Sequence, residues 1–186
     1  MLFSLVGLYS KAQPTSSNSC GLYTSPSGFI NHTLSYAFDC SSHKDKLHLN
    51  DFLGGHKGYV EINGQKHVFN KQDVYGYRNN KGDYRFYNNS DYRIIDTAGF
   101  YLYYQYEQEE RVKGKELVKT DEYFFSKGAD GRLQLLTIEN LEKAFPGNTR
   151  FHYAIDETFK SDKDLIAYDS FLNTYKIKYL FNQSVK

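Results

Sequence analysis

Tryptophan is absent from this chain of 186 residues, and methionine occurs only once, at the first position. The large apolar side chains are instead 18 tyrosines and 14 phenylalanines, a composition that favours β-strands over helices. The lack of tryptophan counts modestly against a carbohydrate-stacking platform. An excess of charge is missing too, since 23 basic and 22 acidic residues leave a net charge of +1. The sequence therefore predicts no binding of nucleic acid or of an anionic membrane surface.

The motifs of common catalytic and cofactor sites are also missing. The sequence contains no Gly-x-Ser-x-Gly elbow, no glycine-rich phosphate loop and no His-Glu-x-x-His zinc motif. Four histidines and two aspartates do lie close together in the sequence, namely His43, Asp45, His48, Asp51, His56 and His67. Their spacing fits no known arrangement of zinc ligands, which must converge on the metal. We therefore predict no metal site, no cofactor and no catalytic centre.

An enzyme with a dispersed site is the alternative, because such a site need not leave a sequence motif. The titratable and cationic residues that could form one are His67, Arg78, Arg85 and His152. A concave pocket with convergent titratable groups would support this alternative.

The N-terminus resembles the end of a secretory signal peptide. Residues 2–9 form an apolar run that is too short to span a bilayer as a helix. Ser10 and Ala12 then provide small residues at the two positions that a signal peptidase reads. Because a positive n-region is lacking, we predict a truncated signal peptide over residues 1–12 and export to the periplasm, cell surface or medium. Its Ala-Gln ending resembles secretory signals common in the Bacteroidota. The alternative is a short strand or helix packed on the domain.

Cys20 and Cys40 are the only cysteines in the chain. An even pair in an exported protein predicts a disulfide, whereas a Cys-x-x-Cys redox motif is absent. The alternative is two buried thiols. The predicted bridge would join a flexible lead-in, residues 13–27, to the first strand of one β-rich domain over residues 28–186.

Within this domain, alternating apolar residues and turn signals predict an antiparallel β-meander of seven or eight strands, arranged as a sheet, roll or barrel. Asn63-Gly64 is the clearest hairpin signal, since both residues accept the positive φ angles of a type I′ turn. The character changes at Thr137, a predicted helix cap, and two or three helices are expected over residues 137–186. Strands followed by helices indicate the α+β class.

The last predicted helix begins at the capping residue Ser161 and carries one long apolar stripe. The residues of this stripe are Leu165, Tyr168, Leu172, Tyr175 and Tyr179. Apolar stripes of this length are rarely exposed on monomers. We therefore expect the helix to complete the core, the alternative being a partner-binding stripe.

A hairpin over residues 74–87 concentrates tyrosine and arginine. Strand alternation predicts that Tyr75 and Tyr77 share one face, as do Tyr84 and Phe86 on the partner strand. The other face carries the only ligand-binding residues that we single out, Arg78, Arg85 and Tyr87. Aromatic pairs of this kind are ordinary sheet packing, which is the preferred interpretation; a binding face for a glycan or a peptide is the alternative.

These observations favour an exported, envelope-associated binding or structural module without a catalytic centre. Its partner would be an envelope protein, a glycan or a peptide. A barrel with a hollow interior would instead favour a carrier of small ligands.

Overall fold

A computed structural model describes residues 18–49, 55–110 and 117–186, with side chains except at 106–110 and 117–120. The predicted signal peptide, residues 1–12, and Asp51 lie outside the described residues. The strands are β1 (Ser19–Tyr23), β2 (Ser35–Asp39), β3 (Lys46–Leu49), β4 (Lys57–Ile62), β5 (Gln65–Asn70), β6 (Gly76–Asn79), β7 (Gly82–Tyr87), β8 (Ser90–Asp96), β9 (Tyr101–Glu110), β10 (Leu117–Ser126), β11 (Gln134–Leu135), β12 (Tyr168–Asp169) and β13 (Thr174–Tyr175). The helices are α1 (Pro26–Ile30), α2 (Ile138–Ala144), α3 (Thr149–Thr158) and α4 (Lys176–Ser184), with 3₁₀ turns at Lys71–Asp73 and Asp162–Ile166.

The main sheet is antiparallel and has eight strands in the order β11-β10-β9-β8-β7-β6-β1-β2. Strands β6 to β11 follow one another both in sequence and in space, so the predicted α+β fold with a meander is confirmed. The sheet is open, with β2 and β11 at its edges, and of the predicted alternatives the closed barrel is wrong. Small antiparallel sheets bury their faces against other elements when they do not close.

Strand β1 lies inside the sheet, although residues 13–27 were predicted to be a flexible lead-in. It pairs with β2 on one side and β6 on the other, and α1 follows directly. Buried Leu22 and Tyr23 supply contacts that the polar composition around them conceals. The predicted Cys20–Cys40 disulfide is confirmed, with 5.0 Å between the Cα atoms, and it fastens β1 to β2.

A second sheet, in the order β3-β4-β5, covers part of the main sheet. Asn63 and Gly64 connect β4 to β5 with φ angles of 51° and 77°, which confirms the predicted turn. Buried Val60 packs with Leu22, Tyr77 and Phe86 of the main sheet. The small sheet thus shields one face of β1, β6 and β7 from water.

The C-terminal helices cover the same face farther along, over β9 and β10. Directly paired residues lie on one face of a sheet, and the pairs link Tyr77 through Tyr84, Arg93 and Tyr104 to Tyr123. Leu102 and Phe125 on this face form a core with the helices. As predicted, Thr137 caps α2 by accepting a hydrogen bond from Asn140 N.

The predicted long helix from Ser161 is wrong, because the segment divides into a 3₁₀ turn, the β12–β13 hairpin and α4. Of its predicted stripe, Leu165 is fully buried, whereas Tyr168, Leu172 and Tyr179 are exposed. Tyr175 of the stripe is partly buried against the core, into which Leu165, Ile177 and Phe181 pack fully. Asn173, with a φ of 52°, makes the reversal that breaks the helix.

Tyr75 and Tyr77 lie on opposite faces, against the prediction that they share one. Tyr77 packs with Leu22 and Phe86, whereas Tyr75 packs with Tyr23 and Phe29 on the other side. Alternation holds only within a regular strand, and regular pairing of β6 begins at Gly76. A Cβ at Gly76 would lie 1.9 Å from Tyr84 O, so only glycine permits this close approach.

Candidate functional site

The face of the main sheet opposite the C-terminal helices is rich in tyrosine. We call it the tyrosine face, and its members are Tyr23, Tyr75, Arg78, Asp83, Arg85, Tyr87, Tyr101, Tyr103 and Ser126. Helix α1 covers part of it, since the Phe29 ring contacts those of Tyr23, Tyr75 and Tyr101. This face combines its aromatic rings with the buried cation Arg85 and the hydroxyl group of Ser126.

Arg85 is buried in the middle of this face, with 6% of its surface exposed. Its guanidinium carbon lies 5.5 Å from the ring centres of Tyr75 and Tyr87 and 5.9 Å from that of Tyr103. A cation–π contact with a desolvated guanidinium contributes about 2 kcal/mol or more. No carboxylate among the described residues forms an ion pair with Arg85, although buried charges are ordinarily paired.

A directed chain of hydrogen bonds leads away from Arg85. Ser126 Oγ donates its single hydrogen to Gly128 O at 2.7 Å. The Tyr103 hydroxyl, 2.9 Å from Ser126 Oγ, must therefore be the donor in that contact. Tyr103 Oη in turn accepts a hydrogen bond from Arg85 Nη1 at 3.2 Å. The chain leaves Tyr103 with no hydrogen to offer a ligand.

The Tyr75 hydroxyl is buried and makes no hydrogen bond within the part of the chain that is described. Burial, helped by the Tyr103 hydroxyl nearby, raises the pKa of Tyr75 although the Arg85 charge opposes the rise. A buried polar group without a partner costs about 1–3 kcal/mol. Such groups in native structures mark strain or a missing partner.

Arg78, in contrast, is fully engaged within the protein. It holds Asp83 with two hydrogen bonds of 2.7 and 2.9 Å, and Asp83 also accepts one from the Tyr23 hydroxyl at 2.8 Å. The guanidinium lies 5.7 Å from the Tyr23 ring centre. Burial and the Asp83 carboxylate raise the pKa of Tyr23, so this group stays a neutral donor.

A cleft of about 370 Å³ opens between α1 and the sheet, a size within the range of small-molecule sites. Its walls include Phe29, Ile30 and His32 on the α1 side and Asp83, Ile94, Thr97 and Tyr101 on the sheet side. Phe29 and Tyr101 also contact the rings around Arg85. The cleft and the buried guanidinium are therefore neighbours that share an aromatic wall.

Of the predicted ligand-binding residues, Arg78, Arg85 and Tyr87 share the tyrosine face, but only Arg85 and Tyr87 contact each other. The histidines suggested for a dispersed active site lie elsewhere. The His67 ring stacks on Tyr36 at 4.8 Å, and His152 Nε2 lies 2.9 Å from Phe145 O. Neither histidine has a recorded contact with the arginines in the described ranges.

The histidines and aspartates that lie close together in the sequence were not predicted to bind a metal, and of them Asp51 lies outside the described residues. Among the described residues, no three His, Cys, Asp or Glu side chains are placed to hold a metal ion. His48, for example, stacks on the Tyr59 ring at 4.4 Å. The stacking of His48 on its strand partner Tyr59 and the contact of His67 with Tyr36 on β2 engage both histidines without a ligand.

Sequence reasoning missed Tyr103, Ser126 and the role of Asp83. Tyr103 belongs to an aromatic run on β9 whose two faces cannot be told apart by alternation. The sequence does indicate the partner of Asp83. Arg78 and Asp83 are equally far in sequence from the turn at Asn80-Lys81, on either side of it. Opposite charges at such positions face each other across a hairpin.

No family model matches the chain, and neither a curated protein sequence nor a solved structure is significantly similar to it. In the described ranges, no helix has both the length and the apolar character needed to cross a membrane.

Proposed function

We propose that the protein is an exported binding module without a catalytic centre, and that it takes its ligand on the tyrosine face. The observation that carries this proposal is the cleft beside α1, which adjoins a buried arginine that has no counterion among the described residues. Concave sites that combine aromatic walls with a few polar groups are typical of ligand binding. The candidate ligands are an envelope glycan, a peptide or a segment of an envelope protein.

The two alternatives have less support. A small-ligand carrier was expected to require a closed, hollow barrel, and the main sheet is open. A dispersed enzyme site would need His67 or His152 near the arginines, whereas His67 contacts Tyr36 of β2 and His152 contacts Phe145 at the end of α2. The proposed binding module, in contrast, relies on groups of the tyrosine face, which do lie together.

The Cys20–Cys40 disulfide supports export, because such bonds persist in oxidising compartments. We propose that export removes residues 1–12 and leaves Gln13 at the N-terminus. Intact-mass analysis of protein recovered from the medium or periplasm tests this cleavage. A mature chain that still carries residues 2–8 would overturn it.

Binding in the cleft is tested with a blocking variant. Thr97 is exposed and lines the cleft, so Thr97→Tyr would fill its mouth at little cost to the core. Ala98 is equally exposed but is not part of the wall, so Ala98→Tyr is the matched control. Thermal unfolding is then measured against a panel of envelope glycans, peptides and small organic acids.

We expect compounds that stabilise the wild type to lose their effect on Thr97→Tyr and to keep it on Ala98→Tyr. Ligand-induced stabilisation follows from binding to the folded state alone. If every active compound stabilises both variants equally, the ligand does not bind in the cleft.

A further inference from the structure

Several hydrogen-bond donors remain unused at one place on the tyrosine face. A guanidinium has five N–H groups, and that of Arg85 donates only to Tyr103 within the described part of the chain. The Tyr75 hydroxyl, which also lacks a partner there, belongs to a ring centred 5.5 Å from the Arg85 guanidinium carbon. Both side chains are more than nine-tenths buried.

The polar groups nearby already form hydrogen bonds with one another. The Tyr103 hydroxyl donates to Ser126, whose own hydrogen goes to Gly128 O. The Asp83 carboxylate is held on both oxygens by Arg78 and on one by Tyr23. What remains at Arg85 is a positive charge with unused donors, and no carboxylate among the described residues forms an ion pair with it.

We infer that Arg85 and Tyr75 form a subsite for an oxyanion, a carboxylate or a phosphate or sulfate group, carried by the ligand of the tyrosine face. Ionised carboxylates and phosphates only accept hydrogen bonds, and the planar guanidinium matches a pair of their oxygens. The same group neutralises the buried charge of Arg85 and gives the Tyr75 hydroxyl its acceptor. This inference rests on the proposed function, for which it names the chemistry of the ligand.

Inorganic and small organic anions serve as probes. Thermal unfolding of the oxidised protein is followed during titration with sulfate, phosphate or acetate, while sodium chloride keeps the ionic strength constant. A bound oxyanion raises Tm along a saturating, single-site curve. General exclusion of sulfate or phosphate from the protein surface gives a gain that does not saturate and does not depend on Arg85.

Tyr75→Phe is the decisive variant because it keeps the ring and removes only the hydroxyl. Without oxyanion we expect its Tm to equal or exceed that of the wild type, since the hydroxyl it loses is unsatisfied. With oxyanion, we expect half-saturation at a concentration at least about tenfold higher, because one hydrogen bond to a charged group is lost. If Tyr75 has only a structural role, Tyr75→Phe should change Tm by the same amount with and without oxyanion.

Tyr23→Phe is the control on the same face, because the Tyr23 hydroxyl already donates to Asp83. We expect it to lower Tm by the same amount with and without oxyanion. Arg85→Met should abolish the saturating curve and Arg85→Lys should weaken it. If neither Arg85 variant folds, the oxyanion dependence of Tm in Tyr75→Phe, compared with that in Tyr23→Phe, still tests the subsite.

Saturation by sulfate or phosphate at lower concentrations than acetate would identify a ligand that carries a phosphate or sulfate group. Saturation by acetate at lower concentrations would identify a ligand that carries a carboxylate. Gains that never saturate, or that Tyr75→Phe leaves unchanged, overturn the oxyanion subsite. The proposed function fails separately, when no compound in the panel distinguishes Thr97→Tyr from Ala98→Tyr.

Discussion

Lys178 and Arg85 are buried on opposite faces of the main sheet, in different surroundings. Lys178 Nζ, on α4, donates to Phe100 O, lies 3.3 Å from Asp96 Oδ1 and sits 3.9 Å from the Phe100 ring centre. Arg85 has rings and one hydroxyl acceptor around it, and no carboxylate in the described part of the chain forms an ion pair with it. The helix-covered face thus supplies a counterion for its buried cation, and the tyrosine face does not.

This difference distinguishes a core in which the buried charge is paired from a surface that is suited to a ligand. Paired, hydrogen-bonded burial satisfies a charge within the protein, whereas an unpaired buried charge costs several kcal/mol. On the helix-covered face, fully buried residues such as Phe100, Phe151 and Ile177 fill the space around Lys178. On the tyrosine face, a cleft opens beside the aromatic wall that shields Arg85. Because Arg85 is buried without an ion pair among the described residues, a ligand group bound beside it would contribute most to stability.

The largest effect is expected from truncating the helix-covered core. Phe151 is fully buried on α3, and Phe151→Ala should cost about 3–5 kcal/mol of unfolding free energy, because the cavity adds to the lost transfer energy. Phe171, at the tip of the β12–β13 hairpin, is 94% exposed. Phe171→Ala is the matched control and should change stability by less than about 0.5 kcal/mol. Denaturant unfolding measures both, and equal losses would contradict a core on this face.

Reducing the disulfide should weaken both faces together. Cys20 and Cys40 are 20 residues apart, and a loop of that length is worth about 3 kcal/mol in the chain-entropy model. The bond holds β1, which carries Leu22 into one face and Tyr23 into the other. The melting temperature is compared with and without reductant. The double variant Cys20→Ser/Cys40→Ser should be as unstable as the reduced wild type and insensitive to reductant, and a wild type equally insensitive would contradict the prediction.

The buried lysine should give the protein an unusual rise in stability at alkaline pH. Burial lowers the pKa of Lys178 from 10.5 to about 8, against the opposing pull of Asp96. Between these values the unfolded chain binds a proton that the folded protein has released, so unfolding free energy rises with pH. The whole shift in the pKa of Lys178 corresponds to about 3 kcal/mol of unfolding free energy. Above pH 10 the trend reverses, because the pKa values of Tyr23 and Tyr75 are raised by burial and only the unfolded tyrosines ionise.

Lys178→Met tests this assignment, because methionine fills a similar volume without a charge. Stability near neutral pH should be equal or higher, as for other buried ion pairs replaced by apolar residues. The rise between pH 8 and 10 should disappear. If the variant keeps the rise, another group causes it.

The α+β class, the disulfide and the Asn63-Gly64 turn followed from the sequence because each depends on neighbouring residues or on simple alternation. Tyr75 and the segment after Ser161 could not be predicted in this way. The face of Tyr75 is decided by an irregular strand start at Gly76, and the helix is broken at Asn173 despite its apolar spacing. Arg85 was singled out for its residue type, but its missing counterion depends on which side chains fold against it. That information lies in the tertiary packing alone.

The smallest effect concerns one hydroxyl on the tyrosine face. Tyr23 Oη donates to Asp83 at 2.8 Å, and a hydrogen bond to a charged group contributes about 1.5–3 kcal/mol. Because Arg78 still holds Asp83 in Tyr23→Phe, we expect a loss near the lower value, about 1.5 kcal/mol. Tyr75→Phe, which removes a hydroxyl without a partner, should lose nothing in oxyanion-free buffer. Denaturant unfolding of the two variants side by side measures the contrast. Equal losses would mean that the Tyr75 hydroxyl is satisfied within the protein, and the difference between the two faces would then reduce to the missing carboxylate at Arg85.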